Sequence, residues 1–498
     1  MIFSSQLFLF WFLPAVVLVY ALLPMRTVER LDPIEPSTLR ALPRWLFSKS
    51  GFLTLASFVF YGAARPDYVL LMIGSACLDY YVGRALGRIE APGRRRTLLF
   101  LSCAANLGLL AYFKYGALLA GTALGAFGGD APAWVRSWEK VALPVGISFY
   151  TFQSMSYTID VYRRQLAPIY NLGDFLCYVS LFPQLVAGPI VRYADVAREL
   201  KERDHTAAKI ATGVFLFQIG FAKKLLLADT VAPAAEALFG AGAPGRAGLA
   251  LADPSTLEAW VGSVAYAFQI YFDFSGYSDM AVGLGLLFGF RFPVNFDAPY
   301  KSASITEFWR RWHISLSTWL RDYLYLPLGG NRKGVARTYV NLALVMLLGG
   351  LWHGGYWTFA AWGAYQGFWL IVERARGGRT LYERLPRAAR VAATFLVVVV
   401  GWVFFRANTF ADAGRILAAM AGFGGAGAPG LVRLGFGGDT LLLWGLGLSA
   451  LFAWAGRPSH EEARAPSWAL AVAAPCFFLT AVCHLFFQSY VPFLYFQF

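Results

Sequence analysis

Charged residues are scarce in this chain of 498 residues. Asp, Glu, Lys and Arg together make up 14% of it, whereas soluble domains carry about a quarter. Hydrophobic residues make up 58%, and the mean hydropathy is +0.52. This composition excludes an ordinary soluble protein and indicates a protein that is embedded in a lipid bilayer.

Internal repeats and long polar linkers are also lacking. The chain is therefore interpreted as one integral-membrane domain, with N-terminal helices in 1–130, a catalytic core in 141–372 and C-terminal helices in 391–498. A helix needs ~20 apolar residues to cross a bilayer. Hydrophobic runs recur near residues 7–24, 52–63, 67–83, 97–113, 141–158, 174–191, 209–228, 260–290, 339–351, 355–372, 391–405, 440–455 and 467–487. We predict an all-α polytopic protein with roughly ten to thirteen membrane segments, including re-entrant ones.

Several motifs of soluble enzymes are missing. The five cysteines include no CxxC pair and lie inside apolar runs, which predicts small buried hydrophobic residues and no disulfide framework. The sequence contains no HExxH, no Gly-x-Ser-x-Gly and no P-loop. These absences argue against a bound metal site, a serine acyl-enzyme mechanism and a nucleoside triphosphatase. No bound cofactor is expected.

Positive charge is concentrated in short loops. The net charge is +14, and basic residues cluster in 26–50, 84–96 and 374–390, which the positive-inside rule assigns to the cytoplasm. Because these loops border apolar runs, the expected partner is membrane lipid and not nucleic acid. Residues 1–6 contain no basic residue, which predicts an N-terminus outside the cytoplasm and a retained first helix.

Polar residues interrupt two apolar segments in the middle of the chain. Residues 141–165 include Asp160, and residues 265–300 include Asp273 and Asn295. Carboxylates at membrane depth are expected to face a wet or protein-lined interior. Hydrogen bonding between helices is the alternative to a functional role for each of them.

Residues 304–328 form the most polar of the segments expected at membrane depth. Ser304 and Glu307 have capping-box spacing, which predicts a helix start, and the helix is expected to end at Pro327. One face of a continuous helix would carry Trp309, His313, Leu316, Ser317 and Leu320. Its remaining surface would carry Arg310, Arg311, Arg321 and Asp322, so the segment is predicted to line a cavity or to enter the bilayer only partly.

Two Trp–His pairs are the strongest candidates for chemistry. Trp312–His313 lies in the polar segment, and Trp352–His353 lies where an apolar run meets glycines, which permit unusual backbone angles and close approach of a substrate. Histidine can move protons near neutral pH, so we interpret His353 and His313 as catalytic. The alternatives are hydrogen-bonded core histidines or a metal site, which would need further ligands.

The motifs together resemble those of the membrane-bound O-acyltransferase family, and within it the transmembrane subunit of bacterial alginate O-acetyltransferases. The stretches that carry the resemblance run nearly end to end: residues 3–10, 144–153, 182–189, 271–280, 307–323, 349–354 and 492–498. The resemblance implies a helical body around a transmembrane tunnel in the bacterial inner membrane, with the N-terminus in the periplasm. It implies His353 as the essential histidine and His313 as a second polar group in the same tunnel.

The resemblance also implies a function. A cytoplasmic thioester, expected to be acetyl-CoA, would supply acetyl groups for O-acetylation of an exported polysaccharide, with periplasmic SGNH-hydrolase-like acetyltransferase subunits as partners. His353 is expected to act as the base, and His313 or Tyr323 to stabilise the oxyanion. Trp309, Ser317, Asp322 and Trp352 are candidate tunnel-lining residues. Arg310 and Arg311 either bind donor phosphate or pair with carboxylates.

Other functions remain open on the sequence alone. Relatives that acetylate peptidoglycan or cellulose, and those that transfer D-alanine to teichoic acid, share the two histidines. A polysaccharide or acyl transporter would also contain broken helices and buried carboxylates. A structural scaffold would leave both Trp–His pairs unexplained.

Overall fold

The computed structural model describes residues 1–23, 45, 48–63, 65–126, 143–240, 251–426, 429–435, 440–487 and 493–494. Within these ranges the regular secondary structure is helical and no strand occurs, which confirms the all-α prediction. The basic loop 26–50 lies largely outside the described residues.

Contacts divide the described chain into two compact units. The first comprises Met1–Phe217 with Met280–Pro293, and the second comprises Gln218–Asp279 with Val294–Phe498. These bounds do not test the functional division into 1–130, 141–372 and 391–498, which stays a prediction.

The longer helices are named in chain order. Six lie in the first unit: α1 (Leu13–Leu22), α2 (Lys49–Gly62), α3 (Asp67–Arg88), α4 (Pro92–Ala126), α5 (Ile147–Tyr162) and α6 (Leu172–Ser180). Two helices contribute residues to both units: α7 (Ala207–Ala222) and α9 (Thr256–Leu287). The others lie in the second unit: α8 (Asp229–Phe239), α10 (Ile305–Arg311), α11 (Ile314–Leu320), α12 (Val335–His353), α13 (Trp357–Ala375), α14 (Arg387–Arg406), α15 (Phe410–Ala418), α16 (Thr440–Trp454) and α17 (Trp468–Phe487).

Short helical turns complete the described secondary structure. They are Phe8–Phe12, Phe182–Leu185, Tyr193–Val196, Lys223–Ala228, Pro299–Lys301, Arg321–Tyr325, Ala419–Phe423, Pro429–Leu434 and Ser459–Glu462. Of these, Lys223–Ala228 continues α7 into α8, and Arg321–Tyr325 continues α11.

Six stretches of the described chain are long and apolar enough to cross a membrane. They are Asp67–Arg88, Pro92–Thr122, Ala207–Phe239, Val335–His353, Arg387–Arg406 and Trp468–Phe487, and two shorter apolar helices are Phe8–Leu22 and Thr440–Trp454. The chain is therefore a multi-pass membrane protein. The total of ten to thirteen segments, which includes re-entrant ones, stays a prediction.

Polar side chains inside the first unit satisfy one another. Asp79 on α3 is fully buried, and its carboxylate accepts hydrogen bonds from Ser102 Oγ at 2.6 Å and Asn106 Nδ2 at 2.9 Å, both on α4. A carboxylate held this way links two membrane helices, because breaking the contact would leave a polar group buried without compensation.

A buried ion network lies in the second unit. Lys224 Nζ contacts Asp229 Oδ1 at 2.5 Å and Asp273 Oδ1 at 2.9 Å, and all three side chains are at most 3% exposed. Asp273 Oδ2 also accepts a hydrogen bond from the backbone N–H of Leu494 at 3.0 Å. The prediction that Asp273 faces a protein-lined interior is therefore confirmed.

Close approach of α12 and α13 depends on glycine. A Cβ at Gly350 would overlap the carbonyl oxygen of Phe359, and one at Gly363 would overlap that of Met346. The glycines around Trp352–His353 were expected to provide unusual backbone angles. Instead, Gly350 and Gly354 have no positive φ, and they leave room for the backbone and the aromatic ring of α13.

The cysteines follow the prediction only in part. Cys177 is buried, but Cys476 and Cys483 are exposed on α17. Apolar sequence does not distinguish a helix face that packs on protein from one that faces lipid, which explains the difference.

Candidate active site

The polar segment 304–328 is broken where its histidine lies. Helix α10 ends at Arg311 and α11 begins at Ile314, because His313 adopts the left-handed conformation with φ 44° and ψ 55°. The predicted continuous helical face through Trp309, His313 and Ser317 is therefore wrong. A left-handed residue other than glycine costs roughly 1–2 kcal/mol. The helical spacing of residues in the sequence does not reveal where such a residue occurs.

A neighbouring loop holds this break in place. The N–H of Ile314 donates to the carbonyl of Asn295 at 2.9 Å, and the N–H of Asp297 donates to the carbonyl of Arg311 at 3.0 Å. These two backbone hydrogen bonds on either side of Trp312–His313 offset the conformational cost and fix the orientation of the histidine.

The start of α10 is capped twice. Ser304 Oγ accepts from the N–H of Glu307 at 3.0 Å, which confirms the predicted cap. The buried carboxylate of Glu373, on α13, accepts from the N–H of Ile305 at 2.7 Å, from the N–H of Thr306 at 2.9 Å and from Thr306 Oγ1 at 2.6 Å. An anion at a helix N-terminus is stabilising, so Glu373 anchors the helix that leads to His313.

Replacing Glu373 with glutamine should destabilise the folded protein by ~1–3 kcal/mol, because an amide has one acceptor oxygen for three donors and buries an NH2 group against them. The measurement is the melting temperature of the detergent-solubilised protein. Glu383→Gln is the matched control, since Glu383 accepts from the N–H and hydroxyl of Thr380 at 3.3 Å but is 37% exposed. An equal shift in both variants would contradict the anchoring role.

The two candidate histidines lie side by side in the second unit. The ring centres of His313 and His353 are 6.3 Å apart, and the residues are 0% and 5% exposed. His353 is the last residue of α12. Residues 40 positions apart in the sequence thus lie next to each other in the folded chain.

Aromatic side chains enclose this pair. Trp352, Trp362 and Phe405 lie 5.0–5.3 Å from the His353 ring, centre to centre. Phe274 lies 4.8 Å from the His313 ring. Water is largely excluded from such a surrounding, which strengthens electrostatic interactions inside it.

His313 is held by hydrogen bonds on one edge of its ring. Its Nδ1 lies 3.1 Å from Asn295 Oδ1, which also receives the N–H of Ser315 at 3.2 Å and Ser315 Oγ at 2.8 Å. His313 lies outside the six candidate membrane helices, and burial lowers the pKa of its imidazole. The ring is therefore neutral near pH 7, as a proton acceptor must be.

Two tryptophans that the sequence predicts to line the tunnel lie at different distances from the histidine pair. Trp352 contacts both histidines, at 5.0 Å from His353 and 6.1 Å from His313. Trp309 lies one ring further away, 5.8 Å from Trp362, and donates its Nε1–H to Gln366 at 3.2 Å.

The remaining predicted residues make contacts of their own. Ser317 Oγ donates to the carbonyl of Trp312 at 3.3 Å, and the buried Tyr323 ring packs 5.1 Å from Trp319. Asp322 pairs with Arg321 at 2.7 Å. These contacts do not connect the three side chains to the histidines, and their tunnel-lining role stays a prediction.

The two arginines before the first Trp–His pair differ. Arg311 pairs with Asp297 at 3.3 Å and with Glu307 at 3.1 Å, the structural role that the sequence left open for it. Arg310 is exposed. A part in binding donor phosphate stays a prediction for both.

Four residues of the site had no assigned role in the sequence analysis: Asn295, Phe274, Trp362 and Phe405. Asn295 stood out as a polar residue in an apolar segment, but its partner could not be identified from spacing. The aromatic residues lie in apolar helices, where they cannot be distinguished from lipid-facing residues.

The alternative of a metal site at the histidines gains no support from their neighbours. In the described part of the chain, one group of three His, Cys or carboxylate side chains has its ligand atoms within 4.8 Å of one another, namely Asp297, His460 and Glu461. It includes neither His313 nor His353.

Residues 138–407 match the model of MBOAT, the membrane-bound O-acyltransferase family. This range contains both Trp–His pairs, Asn295 and the aromatic enclosure. The chain belongs to the membrane-bound O-acyltransferase family. It is accordingly an acyltransferase embedded in a membrane.

Relatives cover most or all of the chain. It is 41% identical to the "Probable alginate O-acetylase AlgI" of Pseudomonas putida, over 100% of both chains. It is 45% identical to the protein of the same name from Pseudomonas aeruginosa, over 85% of this chain and 75% of the other. The peptidoglycan O-acetyltransferase of Helicobacter pylori is 36% identical, over 85% of this chain and 80% of the other.

Proposed function

We propose that the protein is an O-acetyltransferase of the bacterial inner membrane that takes acetyl groups from a cytoplasmic thioester for the O-acetylation of an exported polysaccharide, alginate. The observation that carries the proposal is the enclosed pair His313–His353, whose ring centres are 6.3 Å apart. The similarity along the full chain to a protein named as an alginate O-acetylase supports the choice of acyl group and polymer.

The reaction joins an acceptor hydroxyl to an acetyl thioester. The hydroxyl oxygen attacks the thioester carbonyl carbon, the C–S bond breaks, and the hydroxyl proton passes through imidazole to the thiolate sulfur. His353 acts as the base in this scheme. The aromatic enclosure around it excludes water and thereby limits hydrolysis of the thioester.

Acetyl-CoA is the proposed donor, and it reaches the histidines through a tunnel from the cytoplasm. Basic residues lie at the ends of two adjacent helices: Arg332 and Lys333 precede α12, and Arg374 and Arg376 are at the end of α13. The positive-inside rule favours the cytoplasm for these ends, and their charge attracts the phosphates of the donor. The opposite end of α12 carries His353, which suits an acceptor that arrives from the periplasm.

The acceptor is proposed to be reached through periplasmic acetyltransferase subunits of the SGNH-hydrolase-like type. The proposed arrangement also places the N-terminus in the periplasm. Residues 1–6 carry no basic residue, which favours the outer side of the membrane. The similarity to a peptidoglycan O-acetyltransferase makes the cell wall the second candidate acceptor.

The test is the ester content of the exported polymer in an alginate-secreting bacterium that lacks its own membrane acetyltransferase and carries this chain. We expect acetate esters on alginate, measured by mass spectrometry after mild alkaline release, and incorporation of label from acetyl-CoA in membrane vesicles. D-alanine released in place of acetate, or acetate only on peptidoglycan, would assign a different transfer. A change in polymer export without any ester would indicate a transporter.

A further inference from the structure

The hydrogen-bond partner of His313 carries information about its protonation. Asn295 and His313 are both buried, at 2% and 0% exposure, and the distance from Asn295 Oδ1 to His313 Nδ1 is 3.1 Å. An asparagine side chain offers one oxygen acceptor and one NH2 donor. Which of the two faces the ring decides which ring nitrogen carries the proton.

The backbone of Ser315 resolves this choice. Its N–H, which can only donate, points at the same Asn295 atom from 3.2 Å. That atom must therefore be the oxygen, since two donors would otherwise face each other. The oxygen in turn requires that His313 Nδ1 donates, so that the neutral ring carries its hydrogen on Nδ1 and accepts at Nε2.

We propose that Asn295 is a positioning residue that fixes His313 in the Nδ1–H tautomer, so that His313 Nε2 can accept the hydroxyl proton that His353 removes, before that proton passes to the thiolate sulfur. The catalytic role of His313 in this inference rests on the proposed function. The assignment of the tautomer does not depend on that function. It also changes the role that the sequence suggested for His313, because Nε2 without a hydrogen cannot donate to an oxyanion.

The surroundings of His313 support this assignment. Its ring packs against Phe274, Phe296, Trp352 and His353. His353 is a titratable group among these ring contacts, and burial lowers the pKa of His313. A neutral amide is the partner that fixes a tautomer without adding charge, whereas a carboxylate would favour the imidazolium.

The tautomer can be measured directly, because the chain contains five histidines. Nitrogen-15 NMR of histidine-labelled protein in nanodiscs distinguishes the two neutral tautomers, and the His313 signal is assigned by its loss in His313→Gln. We expect Nδ1–H in the wild type and loss of that form in Asn295→Leu. Asn341→Leu is the matched control, since Asn341 is equally buried but donates to the carbonyl of Gly330 at 3.0 Å; its His313 signal should not change.

Activity gives the second readout. Asn295→Leu should lower the acetyl-transfer rate by at least ~10²-fold, the contribution of a positioned acid–base group. Asn295→Asp retains the acceptor oxygen and should restore transfer, but its carboxylate raises the pKa of His313. Because His313 acts when neutral, the fall in rate on the acid side should move to higher pH by the same amount.

The outcomes separate this inference from the proposed function. An Nε2–H tautomer in the wild type, or a restored rate in Asn295→Asp with an unchanged pH profile, would overturn the positioning role while leaving acetyl transfer intact. Absence of transfer by the wild type from any acyl thioester would instead overturn the proposed function, and the NMR measurement would still decide the tautomer.

Discussion

Alanine in place of His353 should reduce the acetate esters of the exported polymer by about 10²- to 10⁴-fold, the range that general acid–base groups contribute. The variant loses the base and leaves His313 without the ring that lies 6.3 Å away. Because His353 is enclosed by Trp352, Trp362 and Phe405, water that enters the vacated space is a poor replacement for a positioned imidazole. The measurement is acetate released per sugar residue, normalised to the amount of protein in the membrane.

His484→Ala is the matched control for this loss. His484 also lies in an apolar membrane helix, α17, but it is partly exposed, whereas His353 is buried. It should leave the ester content unchanged within about twofold, as expected for a side chain outside the site. Ester above one-tenth of the wild-type level in His353→Ala would contradict catalysis by this residue, and partial movement of substrate without ester would favour a transporter.

The sequence predicted the centre of the site better than its surroundings. Two Trp–His pairs in a chain with five histidines are a local signal, because titratable residues in apolar sequence need a reason. The structure places the rings of His313 and His353 next to each other. That encounter depends on α12 and on the loop at Asn295, which are separate in the sequence.

Two properties of the site could not be predicted from the sequence. The left-handed conformation of His313 depends on backbone hydrogen bonds from the segment at Asn295–Asp297, and helical periodicity assumes that no such break occurs. The enclosing ring of Trp362 lies in a helix whose apolar residues look alike whether they face protein or lipid. Tertiary packing determines both features.

The proposed tautomer and the aromatic enclosure together describe how a neutral His313 imidazole remains usable in a buried site. Burial disfavours the imidazolium form, and the Asn295 amide holds His313 without contributing charge. A thioester is a neutral electrophile, so the site needs a neutral base more than it needs a cation. The same surroundings would be unsuited to a reaction in which both histidines carry charge.

The largest loss of stability is expected at the buried ion network of the second unit. Lys224→Met should destabilise the folded protein by roughly 3–5 kcal/mol, because it removes the cation between two buried carboxylates. Asp229 and Asp273 would then face each other without compensation, at 2% and 3% side-chain exposure. Nothing in the periodicity of residues 209–228 distinguishes this lysine from one at a helix end that reaches toward lipid headgroups.

The measurement is the yield of monodisperse detergent-solubilised protein together with its melting temperature. Combining Lys224→Met with Asp229→Asn and Asp273→Asn removes all three charges, and it should recover most of the loss, since the penalty comes from uncompensated charge and not from the missing pair itself. Arg65→Met breaks the exposed pair Arg65–Asp67, with side chains 54% and 56% exposed, and should leave the melting temperature unchanged. A melting temperature of Lys224→Met equal to that of the wild type would indicate that water screens the network. The burial of Asp273, with its contact to the N–H of Leu494, would then need another explanation.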